Sequence, residues 1–183
     1  MIRECNLVAL VGNPKPASRT LTVATELAEQ VTAFLEAWGG RVHASHIDLA
    51  EMSDCMFDAS SERFDEAMQR ALAADLLLVV TPTYKATYTG LLKAFLDRFP
   101  QNALGGRVAI PVMVGAAPIH SLAVDTYLRP LLVELGASCP TRGLFVLESQ
   151  LPDLPATVAK WLQAASPALG AVCWSPDTAR MAV

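Results

Sequence analysis

Charge is scarce in this chain. Asp, Glu, Lys and Arg make up 17% of its residues, and the balance is slightly acidic at −4, with a pI near 5.3. No basic face emerges, which argues against bulk affinity for nucleic acid. Long apolar runs are missing as well. Hydrophobic residues reach 52%, yet no stretch approaches the roughly 20 residues that a membrane-spanning helix requires. Arg3 and Glu4 come early, and the first apolar run, Leu7–Val11, ends at Gly12, so no secretory leader is expected. Cys5, Cys55, Cys139 and Cys173 lie far apart with no CxxC pair, which points to reduced thiols in a cytoplasmic protein. Of the three histidines, His43 and His46 are three apart on an expected strand and so point to opposite faces. No metal site is expected there. The carboxylates form no paired constellation of the kind hydrolysis uses, and no internal repeat or low-complexity tract appears.

What is present is an alternation. The 183 residues suit one domain with a sizeable core, and the apolar excess points to a subunit interface besides. Near-continuous apolar runs at Leu7–Val11, Leu76–Val80, Val108–Val114 and Leu144–Leu147 read as strands covered on both faces. Arg41–Asp48 reads as a more polar edge strand. Helical periodicity fills the intervals: about Ser18–Trp38, stopped by Gly39-Gly40; Ser61–Ala74; Tyr88–Phe99, stopped by Pro100; Ile119–Leu135; and Leu154–Ala165. Strict strand–helix alternation predicts an α/β three-layer sandwich around a parallel sheet. Five strands with a phosphate-type loop after the first suit the flavodoxin-like order 2-1-3-4-5. The domain is expected over residues 1–166, with 167–183 as a C-terminal tail. Pro111 removes a ladder hydrogen bond inside the fourth strand, so a bulge or a locally unpaired carbonyl is expected. Pro130 requires the fourth helix to kink or break.

In this sheet order ligands bind beyond the carboxyl ends of the strands. Three loops meet there: Gly12–Arg19, Pro82–Thr89 and Gly115–His120. The first reads "GNPKPASRT". Ser18 is a fitting N-cap for a helix whose N-terminus offers unpaired amides and a partial positive charge. Asn13, Ser18 and Thr20 add side-chain donors; Lys15 and Arg19 add charge. The loop is neither GxxxxGK[ST] nor GxGxxG, because it holds a single glycine. A phosphomonoester held by hydroxyls and one or two cations fits better than a triphosphate or a dinucleotide, and flavin mononucleotide is the common ligand of that form. The second loop turns sharply at Pro82 and carries Tyr84 and Tyr88, which suit the apolar wall of a flat ring or, equally, half-buried tyrosines covering a helix start.

With these stretches in view, the chain resembles the NADPH-dependent FMN reductases of the flavodoxin-like superfamily. The likeness is greatest to the branch that supplies reduced flavin to alkanesulfonate and related sulfur-scavenging monooxygenases. It runs from about Leu7 to Val146 and rests on "GNPKPASRT", "TPTYKATYTGLLKAFLD", "LGGRVAIPVMVG" and "HSLAVDTYLRPLLVELGA". The resemblance implies that Asn13, Lys15, Ser18, Arg19 and Thr20 hold the flavin phosphate. It implies that Pro82, Thr83, Tyr84 and Lys85 border the isoalloxazine, and that Gly115 and Ala116 approach its pyrimidine side. It also implies dimers or tetramers built on helices. Where the family has Thr-Gly-Gly in the third loop, this chain has Val114-Gly115-Ala116, and a methyl at the second glycine requires a negative φ there. Thr126 follows Asp125 where relatives often carry Tyr or His, and Tyr127 comes one later. An extra residue in this helix would form a π-type bulge, which Pro130 would help to set.

The implied activity is hydride transfer from NADPH or NADH to FMN, followed by release of the reduced flavin to a partner monooxygenase. No protein acid or base is required, so no catalytic residue is named; His120 is the histidine nearest this edge. Two other readings stay open: a reductase of quinones, azo dyes or metal oxyanions that retains its FMN, and a flavodoxin-like electron carrier. A response-regulator-like module would need a phosphoacceptor Asp after the first strand, where Gly12 and Asn13 stand.

Overall fold

The computed structural model of the chain describes residues 3–173. Its five strands are β1 (Arg3–Val11), β2 (Gly40–Asp48), β3 (Leu76–Pro82), β4 (Val108–Gly115) and β5 (Leu144–Leu147). All pair in parallel, in the order β2-β1-β3-β4-β5. The helices are α1 (Arg19–Ala37), α2 (Glu62–Leu72), α3 (Gly90–Leu96), α4 (Arg129–Glu134) and α5 (Leu154–Cys173). The flavodoxin-like order expected from the sequence is therefore the one observed.

Period-2 alternation within the apolar strands explains how one run serves two layers. Leu7, Ala9 and Val11, with Leu76, Leu78 and Val80, face the layer of α1 and α5. Val8, Leu10, Leu77 and Val79 face α2 and α3, against Phe64, Leu92, Phe95 and Phe99. Every residue of β3 and β4 is buried. β2 is mostly exposed, as an edge strand should be. Most of the apolar stripe read over Tyr88–Phe99 is spent in this core.

Three details depart from the sequence reading or refine it. Pro111 makes no bulge: it pairs with Val79 in an unbroken register. The Ala109 N–H bonds the Ser138 carbonyl, so the Pro111 nitrogen faces the same side, and pairing with β5 begins only at Val112. The missing N–H thus costs no ladder bond. The segment read as one helix over Ile119–Leu135 is three pieces, a 3-10 turn at Pro118–His120, a π-helical turn at Val124–Leu128, and α4 with Pro130 at its start. A π-type turn, the form that an extra residue in this helix would take, is present. Finally, α5 continues through Pro167 to Cys173, so seven residues of the segment read as a tail are its last turns. Proline at 167 leaves the Gln163 carbonyl without its helical donor. The Ser166 hydroxyl bonds that carbonyl at 2.9 Å instead. The rest of that segment lies outside the described residues.

Candidate flavin site

The sheet carries the three expected loops to one edge, and short hydrogen bonds wire them together. Gly12 ends β1 with its N–H on the Val80 carbonyl (2.8 Å). Its own carbonyl accepts from the buried Thr89 hydroxyl at 2.6 Å. Thr89 is also the N-cap of α3, accepting from the Leu92 amide at 3.1 Å, and its own amide donates to the Thr81 hydroxyl. Helix α3 can sit this close because residue 12 is glycine: a Cβ there would lie 2.7 Å from Leu92 Cβ. Loops two and three meet through the Thr83 amide, which bonds the Val114 carbonyl at 2.7 Å. A Cβ on Gly115 would lie 2.6 Å from Phe145 Cζ and 3.0 Å from Thr83 Oγ1. Ala116 is absent from the residues with positive φ, which is the condition its methyl requires.

Within the first loop the expected residues divide. Asn13 and Thr20 are buried and bond each other, Asn13 Nδ2 to Thr20 Oγ1 at 2.8 Å. Asn13 Oδ1 also accepts from the Lys15 amide at 2.9 Å. These two brace the loop from inside. Ser18 caps α1 through the Leu21 amide at 3.2 Å, which leaves the first-turn amides of Arg19 and Thr20 without helical acceptors. Lys15 is exposed and makes no ion pair among the described residues. Arg19 is not idle: Nη1 lies 2.5 Å from Glu148 Oε2, just past the end of β5. Nothing in the local sequence around either residue announces this pair.

In the second loop, Tyr84 and Thr87 bond each other in both directions, 2.8 and 3.1 Å, around Lys85 (φ 50°) and Ala86 (φ 69°). Two positive φ angles in a two-residue hairpin are the mark of a type I′ turn, which ordinarily takes Asn-Gly. Lys-Ala is therefore strained backbone, held beside Tyr84, which is 40% exposed. Ala86→Gly is expected to stabilise the fold by about 0.5–1 kcal/mol, the left-handed penalty of a Cβ less the greater unfolded-state freedom of glycine. Urea denaturation at constant m-value checks this.

Two partly buried groups outside these loops have shifted ionisation. Burial raises the Asp48 carboxyl at the end of β2, partly offset by its bond to the Ala50 amide. Burial likewise pushes up the Cys139 thiol, which disfavours a reactive thiolate there.

This donor set suits a flavin monophosphate. It offers first-turn amides, a free ammonium at Lys15, and a buried Thr83 hydroxyl without any partner at the foot of the second loop. A family profile described as NADPH-dependent FMN reductase matches residues 5–151. An FMN reductase (NADPH) of Pseudomonas putida is 38% identical over 146 residues, covering 79% of this chain and 72% of that protein. One from Escherichia coli is 34% identical over 153 residues, covering 80% and 75%. Among solved structures, the apo form of an NADH:FMN oxidoreductase is 34% identical, with a TM-score of 0.73, over 88% of this chain and 91% of that one.

Proposed function

The chain belongs to the NADPH-dependent FMN reductase family, an oxidoreductase family acting with NAD(P)H and FMN, and on that premise we propose that it turns FMN over as a substrate and hands the reduced flavin to a partner monooxygenase of sulfur scavenging. The observation that carries the substrate reading is the character of the phosphate loop. Its cations are on the surface, and one of them, Arg19, is already paired with Glu148 at 2.5 Å. A grip made of exposed side chains and two amides is suited to a ligand that comes and goes. The sulfur-scavenging partner is supported by similarity, at 28% identity, to the NADH-dependent FMN reductases SfnE of Pseudomonas putida and SfnF of Pseudomonas fluorescens.

In this reading Lys15, Arg19 and the first-turn amides of α1 bind the phosphate, Ser18 fixes the helix end that presents them, and Asn13 and Thr20 hold the loop in shape. Pro82, Thr83, Tyr84 and Lys85 border the ring system, with the strained turn fixing where Tyr84 stands. The backbone at Gly115–Ala116 lies on the pyrimidine side, where oriented dipoles favour the charge that reduction brings. Bound FMN supplies the hydride acceptor, and the protein contributes orientation rather than an acid or base.

We assign the groove of about 560 Å³ between α3 and the Val124–Glu134 segment, with Tyr88, Tyr127 and Leu131 on its walls, to contact with a second copy of the chain. Among the described residues no helix is long and apolar enough to cross a membrane. The cytoplasm is the assigned compartment, in keeping with Cys55 and Cys139, which form no disulfide.

The test is to purify the protein without added flavin and follow NADPH and NADH absorbance at 340 nm. A colourless protein whose rate saturates with added FMN is expected. A yellow protein with one tightly held flavin, indifferent to added FMN, would overturn the substrate reading and favour a flavin-retaining reductase.

A further inference from the structure

We propose that Glu148 is a built-in rival of the flavin phosphate: both anions seek the Arg19 guanidinium, so FMN gains Arg19 only as Glu148 gives it up. The inference rests on the reading of the α1 N-terminus as the phosphate site.

The pair joins residues 129 apart in sequence, at 2.5 Å, with side-chain exposures of 65% for Arg19 and 42% for Glu148. Glu148 is not a floating surface acid. It opens the 3-10 segment Glu148–Asp153 directly after β5. That segment is anchored on one side by Gln150, whose Oε1 accepts from the Leu147 amide at 2.8 Å. On the other, Gln30 of α1 donates to the Pro155 carbonyl at 2.9 Å, and buried Leu154 ties the start of α5 into the core. The carboxylate is thus held opposite the first turn of α1 by the packing of α5 on α1.

Its chemistry there opposes the ligand's. A phosphate approaching the α1 N-terminus seeks the positive end of the helix and the nearby cations. It meets one cation already neutralised. Exposed ion pairs are weak and salt-screened, so a dianion with amides and Lys15 at hand can displace the carboxylate. The displaced charge then lies beside the phosphate and favours its departure. Glu148 is a positioning residue: it sets where the Arg19 guanidinium points, and so how firmly FMN is kept.

The experiment measures equilibrium binding by flavin fluorescence, and dissociation by rapid dilution, for FMN and for riboflavin, which lacks the phosphate. Wild type, Glu148→Gln, Glu148→Ala, Arg19→Ala and the Arg19→Ala/Glu148→Gln double variant are compared. Glu148→Gln is expected to tighten FMN about 5-fold and to slow its dissociation to match, the scale of one exposed charge pair, with riboflavin unchanged. Glu148→Ala should act in the same direction. In the Arg19→Ala background the gain should fall below about 2-fold, because the effect runs through Arg19. Unchanged FMN affinity in Glu148→Gln, equal tightening of both flavins, or an undiminished gain without Arg19 each overturn the proposal. If Glu148→Gln is silent while Arg19→Ala still weakens FMN more than riboflavin, the phosphate reading stands and only the rivalry falls. If Arg19→Ala weakens both flavins equally, the phosphate reading itself is wrong.

Discussion

Gly12→Ala is expected to lower stability by about 2–3 kcal/mol and FMN affinity by at least about tenfold. The new methyl would sit 2.7 Å from Leu92 Cβ. Because Cβ is fixed to the backbone, no rotamer change relieves the clash, and either α3 or the end of β1 must move. Both are tied. The Gly12 amide is bonded to Val80 and its carbonyl to the Thr89 hydroxyl, and Thr89 is the cap of α3. Displacement therefore strains the bond that joins the Gly12–Arg19 loop to the Tyr84 loop, so on the proposed reading binding suffers with stability. Gly90→Ala is the control: nothing lies within 4 Å of a Cβ at that helix start, and a neutral or slightly stabilising result is expected. Urea unfolding and FMN titration of both variants make the comparison. A Gly12→Ala protein as stable as wild type would show that α3 is free to retreat.

Arg129→Met is expected to lower stability by about 3 kcal/mol. Its guanidinium holds Asp125 Oδ1 through Nε (2.9 Å) and Nη2 (2.6 Å), and the carbonyls of Cys139 and Thr141, each at 2.7 Å. Asp125 Oδ1 in turn accepts from the Gly143 amide at 3.1 Å. One side chain thus fastens the π-helical turn to the loop leading into β5. Removing it takes these donors from two carbonyls and leaves Asp125 Oδ1 with the Gly143 amide alone, in a place where the Arg129 side chain is only 23% exposed. Arg129→Lys keeps the charge without the planar fork and should recover less than half of the loss. The exposed pair of Arg63 and Asp54 is the contrast, and breaking it is expected to cost far less than Arg129→Met. A loss below about 1 kcal/mol for Arg129→Met would contradict the role given to this network.

The parts of the fold that the sequence made legible are those where burial dictates residue type over several positions. β3 and β4 are covered on both faces, so they read as unbroken apolar runs; the strand–helix alternation points to a parallel sheet, and the loop after the first strand to its order. Ser18, expected as an N-cap, does cap α1, and Ser61, read as the first residue of the second helix, is the cap of α2. Pairings between distant segments left no local trace. Arg3–Asn6 extends β1 through polar residues because β2 lies alongside, from Arg3 opposite Gly40 onward. At Pro167 the Ser166 hydroxyl takes the place of the missing backbone donor to Gln163, a compensation that periodicity does not register. The candidate site divides along the same line. Its loops were legible from glycine, proline and hydroxyl spacing, and Thr89 could have been found as a threonine cap before Gly90-Leu91-Leu92. Glu148 could not, since only the packing of α5 on α1 brings it to Arg19.

The most direct test of the phosphate grip at the start of α1 is a fluorescence titration of the wild-type protein with FMN and with riboflavin under the same salt conditions. FMN quenching that saturates at micromolar concentration, with riboflavin at least about tenfold weaker, is the predicted result. Equal affinities for the two flavins would contradict it.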